Sequence, residues 1–220
     1  MSDLADRYAA VTDRVRSAAL GVGRNPEEVS LVAVSKGRDV PTIQRLYDLG
    51  HRDFGENRAQ ELREKVPELP ADIRWHFIGP LQSNKVRIVR PAVHALHSLD
   101  RMSLATAWMK GSGSPPAAYL QVNIGEEEQK SGVQVDEMTE TLERLRRMSV
   151  PIIGLMAIPP LTDDPEGTRQ YFVKLRELRD TVVTEHPGVT GLSMGMTNDF
   201  EIAVAEGTTV IRVGRAIFQD

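Results

Sequence analysis

Lys36 is the residue whose position in the sequence first suggests chemistry. It follows Leu31, Val32, Ala33 and Val34, an apolar, β-prone run that predicts a buried strand. Because side chains alternate along a strand, Lys36 shares a face with Val34 and Val32. If that face lines a dry pocket, desolvation lowers the pKa of the amine, and a neutral amine can attack an aldehyde. The alternative is a strand-end lysine that extends into solvent.

A second segment, "GLSMGMTNDFEIAVAEG", has the pattern of a strand, a glycine turn and a helix. The spacing of Asn198 and Glu201 predicts a capping box, which would leave the N–H groups of Met196, Thr197 and Asn198 at the open end of the helix. Gly195 allows close approach of the backbone, so the turn is suited to an anion. The alternative is an ordinary capped helix.

The next segment, "TTVIRVGRAIF", predicts a last strand that ends in Arg212 and Gly214 and leads to Arg215. In barrels of alternating strands and helices, the loops after the seventh and eighth strands commonly hold phosphate. Two glycine turns and two arginines at this place favour a phosphate site over a plain tight turn.

Other polar residues near the predicted strand ends give weaker signals. Glu56 and His76 have the chemistry for acid–base roles, but they could equally brace the loops. His94 and His97 form an H-x-x-H, and an odd spacing in a strand places two side chains on opposite faces, so no metal pair is predicted. Lys130, in the charged "GEEEQKSG" loop, could reach the strand ends.

A scaffold must bring these segments together, and the strand pattern supplies one. The β-rich runs are predicted at residues 31–35, 52–54, 74–78, 92–97, 118–124, 151–156, 190–194 and 209–213. Helical patterns lie between most of them, and an amphipathic helix precedes the first. We therefore expect an α/β fold, a (β/α)8 TIM barrel with an extra N-terminal helix. A doubly wound open sheet is the competing architecture.

The composition restricts the class of protein. The chain has 220 residues and a net charge of −4, which argues against a general nucleic-acid binder. The lack of cysteine excludes disulfides and thiolate sites. No apolar run is long enough to span a membrane, and the first residues do not form a signal peptide. We expect a single cytoplasmic domain over residues 1–220.

A strand-end lysine and a distant phosphate cradle together suggest one cofactor, pyridoxal 5′-phosphate, which carries an aldehyde at one end and a phosphate at the other. The segments that hold these residues also resemble a known family. They are similar to the pyridoxal-phosphate homeostasis proteins, related in fold to the N-terminal barrel of alanine racemase, in "AVSKGRDV", "DFGENRAQE", "WHFIGPLQSNK", "QVNIGEEEQKSG", "GLMAIPP" and "LSMGMTNDFEIAVAEGTTVIRVGRAIF".

The resemblance implies that Lys36 forms a Schiff base with pyridoxal phosphate. It also implies a set of cofactor-binding residues, which are Ser193, Met194, Gly195 and Thr197 in one turn, Arg212, Gly214 and Arg215 in the next, and Asn57 and His76 around the pocket. This sequence departs from the family pattern at three positions. The family often has tyrosine where this chain has Arg58, usually serine where it has Thr197, and often threonine where it has Arg215. At residue 215 a guanidinium or a backbone N–H would therefore have to replace a hydroxyl contact.

The resemblance further implies a carrier and regulator of the vitamin B6 pool, without established catalysis. Alanine racemase uses a tyrosine from a separate domain as its second base. This sequence ends at Asp220, after the predicted barrel, and its tyrosines fall in helices or in mid-strand. We expect a monomer whose partners are pyridoxal phosphate and the apo-enzymes that receive it, with no metal, membrane or nucleic acid. The alternatives are a racemase-like pyridoxal phosphate enzyme and a cofactor-free Schiff-base aldolase.

Overall fold

Eight parallel strands form a closed barrel in the computed structural model, which describes residues 3–219. The strands are β1 (Ser30–Val34), β2 (Asp53–Glu56), β3 (Arg74–Phe77), β4 (Ala95–Leu99), β5 (Ala117–Gln121), β6 (Ile152–Met156), β7 (Gly191–Ser193) and β8 (Val210–Val213). Each strand pairs with the next, and β1 also pairs with β8. This closure confirms the predicted (β/α)8 barrel and excludes the open sheet, whose outer strands would have free edges.

Helices cover the outside of the barrel. Those in the described residues are α1 (Leu4–Gly21), α2 (Val40–Asp48), α3 (Ala59–Lys65), α4 (Val86–Val89), α5 (Met102–Met109), α6 (Met138–Arg147), α7 (Arg169–Val183), α8 (Phe200–Ala205) and α9 (Arg215–Phe218). The predicted extra helix is α1, which starts with a capping box between Asp3 and Asp6 and packs against α8 and α9. Among residues 3–219, no helix is long and apolar enough to cross a bilayer.

The eight predicted strands are all present, with bounds that differ from the prediction by one or two residues in six of them and by three residues at one end of the other two. The fourth, predicted at 92–97, begins only at Ala95, because Arg90–Ala92 form a short 3₁₀ turn with a proline at its start. The fifth, predicted to reach 124, ends at Gln121, after which Val122 makes only an isolated bridge with Val133. The loop after the fourth strand therefore begins later than the pattern predicts, and the loop after the fifth strand begins earlier.

Side-chain alternation along the strands divides the interior into two regions. Outward residues pack under the helices in the main core, which includes Ala33, Phe54, Trp75, Phe77, Leu120, Leu192 and Ile211. The apolar cluster inside the barrel is small and consists of Val32, Tyr119, Met156 and Val210 with Ile153 against it. Much of the remaining interior is polar, and buried polar groups require hydrogen-bond partners.

Candidate functional site

Lys36 lies at the C-terminal mouth of the barrel, in the turn directly after β1. Arg38 N–H donates to Ser35 C=O at 3.0 Å and closes the turn. Gly37 has a φ of 69°, the left-handed conformation that a glycine adopts without strain. The local sequence "SKG" therefore ends the strand abruptly and lifts the lysine above the barrel.

The Lys36 side chain is exposed and makes no hydrogen bond or ion pair with any residue from 3 to 219. The floor beneath it is apolar as predicted, since Val32 and Val34 are buried on the same strand face. The turn carries Lys36 beyond that floor, so its side chain is exposed and not enclosed. An unpaired amine in an open mouth is accessible to a carbonyl compound.

A buried ion cluster lies under the turn that carries the strand-end lysine. The Nζ of Lys65, on α3, donates to Glu56 Oε1 at 2.6 Å, to Ser35 O at 2.9 Å and to Glu61 Oε2 at 3.2 Å. Ser35 Oγ also donates to Glu56 Oε1, at 2.7 Å, and Gly37 N–H donates to Glu61 Oε2 at 2.7 Å. Burial raises the pKa of Glu56 despite its bonds to Lys65 and Ser35. Of the two roles considered for Glu56, these contacts favour bracing the loop.

Asn57 follows β2 at the same mouth of the barrel. Its Oδ1 is buried and has no hydrogen-bond partner among the described residues. The backbone comes close here, because a Cβ on Gly79 would lie 2.6 Å from Asn57 Cβ and 2.7 Å from Asn57 O. An unpartnered buried acceptor beside a strand end is a group that a bound ligand can satisfy.

The turn after β7 does not contain the predicted capping box. The helix begins at Phe200 with Asp199 as its N-cap, and Asp199 Oδ1 accepts the Met196 N–H at 2.6 Å. The predicted pairing of Asn198 with Glu201 is wrong, because the helix starts one residue later than that spacing requires. Burial raises the pKa of Asp199. The Met196 N–H, which we expected to be free for an anion, is thus already occupied.

Other N–H groups of this turn remain available. Those of Gly195, Thr197 and Asn198 donate to no acceptor within residues 3–219. Gly195 has a φ of 94°, and a Cβ there would lie 2.6 Å from Ala203 Cβ and 3.1 Å from the Cα of Phe200. Only glycine fits this position, and a short run of unpaired amides around it is suited to an anion.

The turn after β8 lies next to the one after β7. Gly214 packs on β1, where its Cβ would come within 3.2 Å of Val34 Cβ. Arg215, the first residue of α9, donates from Nη2 to Asn198 Oδ1 at 3.5 Å. The structure thus places the two glycine turns, the exposed Arg215 guanidinium and the Lys36 strand at one side of the mouth.

Below the mouth, a hydrogen-bonded chain of buried side chains crosses the barrel. Arg212 Nη1 donates to Ser193 Oγ at 2.5 Å, and Ser193 Oγ bonds His97 Nδ1 at 2.8 Å. His97 Nε2 lies 2.9 Å from His76 Nδ1, and His76 Nε2 lies 3.1 Å from Asp53 Oδ1. Burial holds the pKa of His97 well below its usual value, and the neighbouring His76 and Arg212 contribute in the same direction.

Arg212 is bound mainly by oxygens of the protein itself. Its guanidinium also donates to the backbone carbonyls of Ser193 at 2.7 Å and Ala157 at 3.0 Å. Its backbone N–H donates to Gly195 O at 3.0 Å. Burial lowers the pKa of Arg212 to about 10, so the group stays cationic at neutral pH. Arg212 therefore places a buried positive charge behind the Gly195 turn and fixes the end of β7.

The H-x-x-H pair does not lie on opposite faces as we predicted. His94 precedes β4, where strand alternation does not apply, and its ring contacts His76 at a centroid distance of 5.5 Å. His97 contacts the same ring at 5.1 Å. Among the residues that the structure describes, no group of three or more histidine, aspartate or glutamate side chains is arranged to hold a metal ion.

The predicted site residues lie in three places. At the mouth lie Lys36, Asn57, Gly195, Thr197, Gly214 and Arg215. Inside the barrel lie Ser193, His76 and Arg212, while Met194 is buried in the outer core with its N–H bonded to Val210 O at 3.1 Å. Sequence reasoning missed Lys65 and Glu61. Their spacing of four residues, just after the Glu56 strand, is the signal that could have found them.

The fold and these residues define a class: a (β/α)8 barrel with a strand-end lysine and a pair of glycine turns at its mouth. Comparison with known sequences agrees with this class. A family model described as the alanine racemase N-terminal domain matches residues 9–220. Relatives named pyridoxal phosphate homeostasis protein include one from Aquifex aeolicus, 39% identical over 97% of this chain and 96% of its own length. Another, from Escherichia coli K12, is 39% identical over 99% of this chain and 97% of its own length.

The chain belongs to the pyridoxal phosphate homeostasis proteins, a family built on the alanine racemase N-terminal barrel. Among solved structures, PipY of Synechococcus elongatus with pyridoxal phosphate bound is similar, with a TM-score of 0.82 and 33% identity over 98% of this chain and all of that one. An alanine racemase from Corynebacterium glutamicum shares the fold, with a TM-score of 0.70 and 14% identity over 96% of this chain and 60% of that one.

Proposed function

We propose that this protein holds pyridoxal 5′-phosphate as a Schiff base on Lys36 and delivers it to apo-enzymes, without turning over a substrate. One observation carries the proposal: an unpaired, exposed amine shares the barrel mouth with a glycine turn in which the N–H groups of Gly195, Thr197 and Asn198 have no acceptor within residues 3–219. A small molecule with an aldehyde at one end and a phosphate at the other needs two separate binding groups, an amine for the aldehyde and an anion site for the phosphate. Pyridoxal phosphate supplies an electrophilic carbonyl at one and an anion at the other.

The residues of the two glycine turns fit a phosphate. Gly195 permits close approach of the backbone, and the amides of Gly195 and Thr197 are free to donate. In our proposal the Thr197 hydroxyl and the Arg215 guanidinium complete the phosphate contacts, with Gly214 leaving room for them. A guanidinium is suited to phosphate oxygens because it presents several donors in a fixed plane.

The other proposed site residues act from beside or below the cofactor. Asn57 would offer its unpartnered Oδ1 to a polar group of the ring or to ordered water. Arg212 adds positive charge behind the phosphate turn, and Ser193 and His76 hold it there through the interior chain. Met194 anchors β7 in the core. Arg212, Ser193 and His76 would raise retention of the anion through a preformed field and not through direct contact.

A carrier role is supported by the names of the relatives and by the tyrosines. The relatives at 39% identity are named homeostasis proteins. In this chain Tyr8, Tyr47 and Tyr171 lie in helices, and Tyr119 is buried in mid-strand inside the barrel. No tyrosine in residues 3–219 stands at a strand end, where a second proton-transfer group for a racemase would face Lys36. We further propose that the chain acts as one cytoplasmic barrel domain and as a monomer.

Transfer of the cofactor tests the carrier role. The loaded protein, freed of unbound pyridoxal phosphate, is mixed with an apo-enzyme that depends on this cofactor, and recovery of the enzyme's activity is followed. We expect recovery with the parent protein and none with a Lys36→Ala variant treated in the same way. Amino-acid racemisation by the loaded protein, well above that by free cofactor, would contradict the non-catalytic role.

A further inference from the structure

The segment on both sides of Lys36 is bound to one buried ion cluster, while Lys36 itself is bound to nothing in residues 3–219. On the N-terminal side, Ser35 O accepts from Lys65 Nζ and Ser35 Oγ donates to Glu56. On the C-terminal side, Gly37 N–H donates to a carboxylate oxygen of Glu61. The backbone is therefore fixed immediately before and immediately after the residue that must react.

Burying these charges has a high free-energy cost for a cluster whose role is only structural. Lys65 is 7% exposed and Glu56 is fully buried, and desolvating such charges costs several kcal/mol for each ion. Packing of a strand end on a helix needs only apolar side chains, which often give equal or greater stability than a buried ion pair. One oxygen of Glu56, Oε2, also remains buried without a partner in the described part of the chain. The arrangement thus suggests a requirement other than stability.

We propose that Lys65, Glu56 and Glu61 are positioning residues for Lys36. Lys65 holds the two carboxylates together, Glu56 and Lys65 fix Ser35, and Glu61 fixes Gly37, so the turn presents the Lys36 amine in one orientation. The inference rests on the proposed Schiff base at Lys36.

The reaction that this geometry assists involves no oxidant or reductant. The neutral Lys36 nitrogen attacks the aldehyde carbon, and a C–N bond forms. The carbonyl oxygen then leaves as water together with the two hydrogens that the amine nitrogen loses. A fixed backbone on both sides of Lys36 lowers the entropy that the side chain must give up to reach the carbonyl. In the proposed function, non-covalent binding of the phosphate depends on the turns after β7 and β8, to which the cluster side chains make no hydrogen bond within residues 3–219.

The test separates these two events with three single variants of the full chain. Lys65→Met removes the centre of the cluster, and Glu61→Gln, at a partly exposed position, weakens one arm with less risk to folding. Glu64→Gln changes an exposed glutamate on the same helix, whose side chain hydrogen-bonds only Gln60 among residues 3–219, and serves as the control. Thermal unfolding establishes that each variant is folded.

Two measurements are made on each variant. The rate of imine formation with pyridoxal phosphate is followed by rapid-mixing absorbance. The affinity for pyridoxine 5′-phosphate, which has the phosphate and ring but no aldehyde, is measured by calorimetry. We expect Lys65→Met to slow imine formation about tenfold or more, as for misplaced reacting groups, and Glu61→Gln to slow it less. Both should bind pyridoxine 5′-phosphate as the parent does, and Glu64→Gln should match the parent in both measurements.

The outcomes distinguish this inference from the proposed function. If the parent protein forms the imine and both folded cluster variants form it at the parent rate, the positioning role is wrong and the proposed function stands. The positioning role is also wrong if imine formation and pyridoxine 5′-phosphate affinity fall together, because the cluster would then support the whole mouth. If Lys65→Met does not fold, Glu61→Gln decides between these results. If the parent forms no imine, the proposed function fails and the inference fails with it.

Discussion

At the scale of single residues, the choice between lysine and arginine follows the chemistry of each position. A guanidinium stays charged and does not form an ordinary Schiff base, so residue 36 has to be lysine for the proposed attachment. Residue 212 is buried among carbonyl and hydroxyl oxygens, where the planar donors of arginine satisfy several acceptors at once. The cations at residues 36 and 212 thus have opposite requirements: the first has to be accessible, and the second is bound on several sides by protein oxygens.

Replacing Arg212 should therefore affect both stability and binding. Arg212→Ala removes the hydrogen bonds that the guanidinium donates to the buried carbonyls of Ser193 and Ala157, and we expect a loss of about 3 kcal/mol in unfolding free energy. We also expect weaker binding of pyridoxal phosphate, because the charge behind the Gly195 turn is gone. Denaturant unfolding and equilibrium titration measure the two effects.

Arg215→Ala provides the comparison, since Arg215 is exposed and has one long contact to Asn198. It should unfold like the parent but bind pyridoxal phosphate less tightly. Parent-like affinity in both arginine variants would contradict the assignment of phosphate to these turns.

At the scale of the elements, the site depends on how each strand ends. The turn after β1 is closed by a glycine with φ of 69°, and the turn after β7 by a glycine with φ of 94°. Both end a strand sharply and leave groups unpaired at the mouth: the amine at residue 36, and the amides near residue 195. The barrel supplies no binding group from mid-strand in this scheme, which is why small changes at the turns matter.

Gly195→Ala tests the importance of the turn after β7. An added Cβ would lie 2.6 Å from that of Ala203 and would also face a positive φ, so we expect a cost of about 1–3 kcal/mol and weaker cofactor binding. Gly188→Ala is the matched control, because nothing lies within 4 Å of its Cβ position. Unfolding curves and titrations of both variants give the comparison. Equal affinity in the two variants would rule out a role for the Gly195 turn.

The sequence predicted the elements better than the contacts between them. The run before Lys36, the glycine turns and the alternating pattern were sufficient to predict the barrel and its mouth, because these features are local. The capping box at Asn198 failed because the helix starts one residue later, with Asp199 as its N-cap and the Asp199 carboxylate bound to the Met196 amide. The Lys65 cluster was not predicted, since it joins residues of the turn after β1, of β2 and of α3 that meet only after the barrel closes.

At the scale of the whole molecule, the interior of the barrel connects its two ends. The hydrogen-bonded chain from Asp53 to Arg212 runs from the start of β2 to the wall of the candidate site. Burial alone would raise the pKa of Asp53, but the hydrogen bonds from Arg74 and His76 outweigh it and hold the pKa well below its usual range. The centre of the barrel is therefore polar, and its hydrogen bonds depend on the protonation states of the side chains in this hydrogen-bonded chain.

The interior chain predicts a dependence of stability on pH. Because the pKa of His97 is held below its unfolded value of 6.5, the unfolded chain takes up a proton there that the folded chain does not. Stability should therefore fall as pH drops below about 6.5, by up to about 1.4 kcal/mol per pH unit for this group. In a His97→Gln variant, which retains hydrogen-bonding groups, denaturant unfolding at several pH values should show a shallower fall. An unchanged slope would contradict a neutral, buried His97.

The central claim is that Lys36 holds pyridoxal phosphate covalently. The most direct measurement is the absorbance spectrum of the protein with added cofactor, followed by borohydride reduction and mass spectrometry of the peptide that contains residue 36. We expect a band near the edge of the visible range, its loss on reduction, and a reduced cofactor adduct on Lys36 that is missing from Lys36→Ala. Either the same band in Lys36→Ala or an adduct on another lysine would contradict the claim.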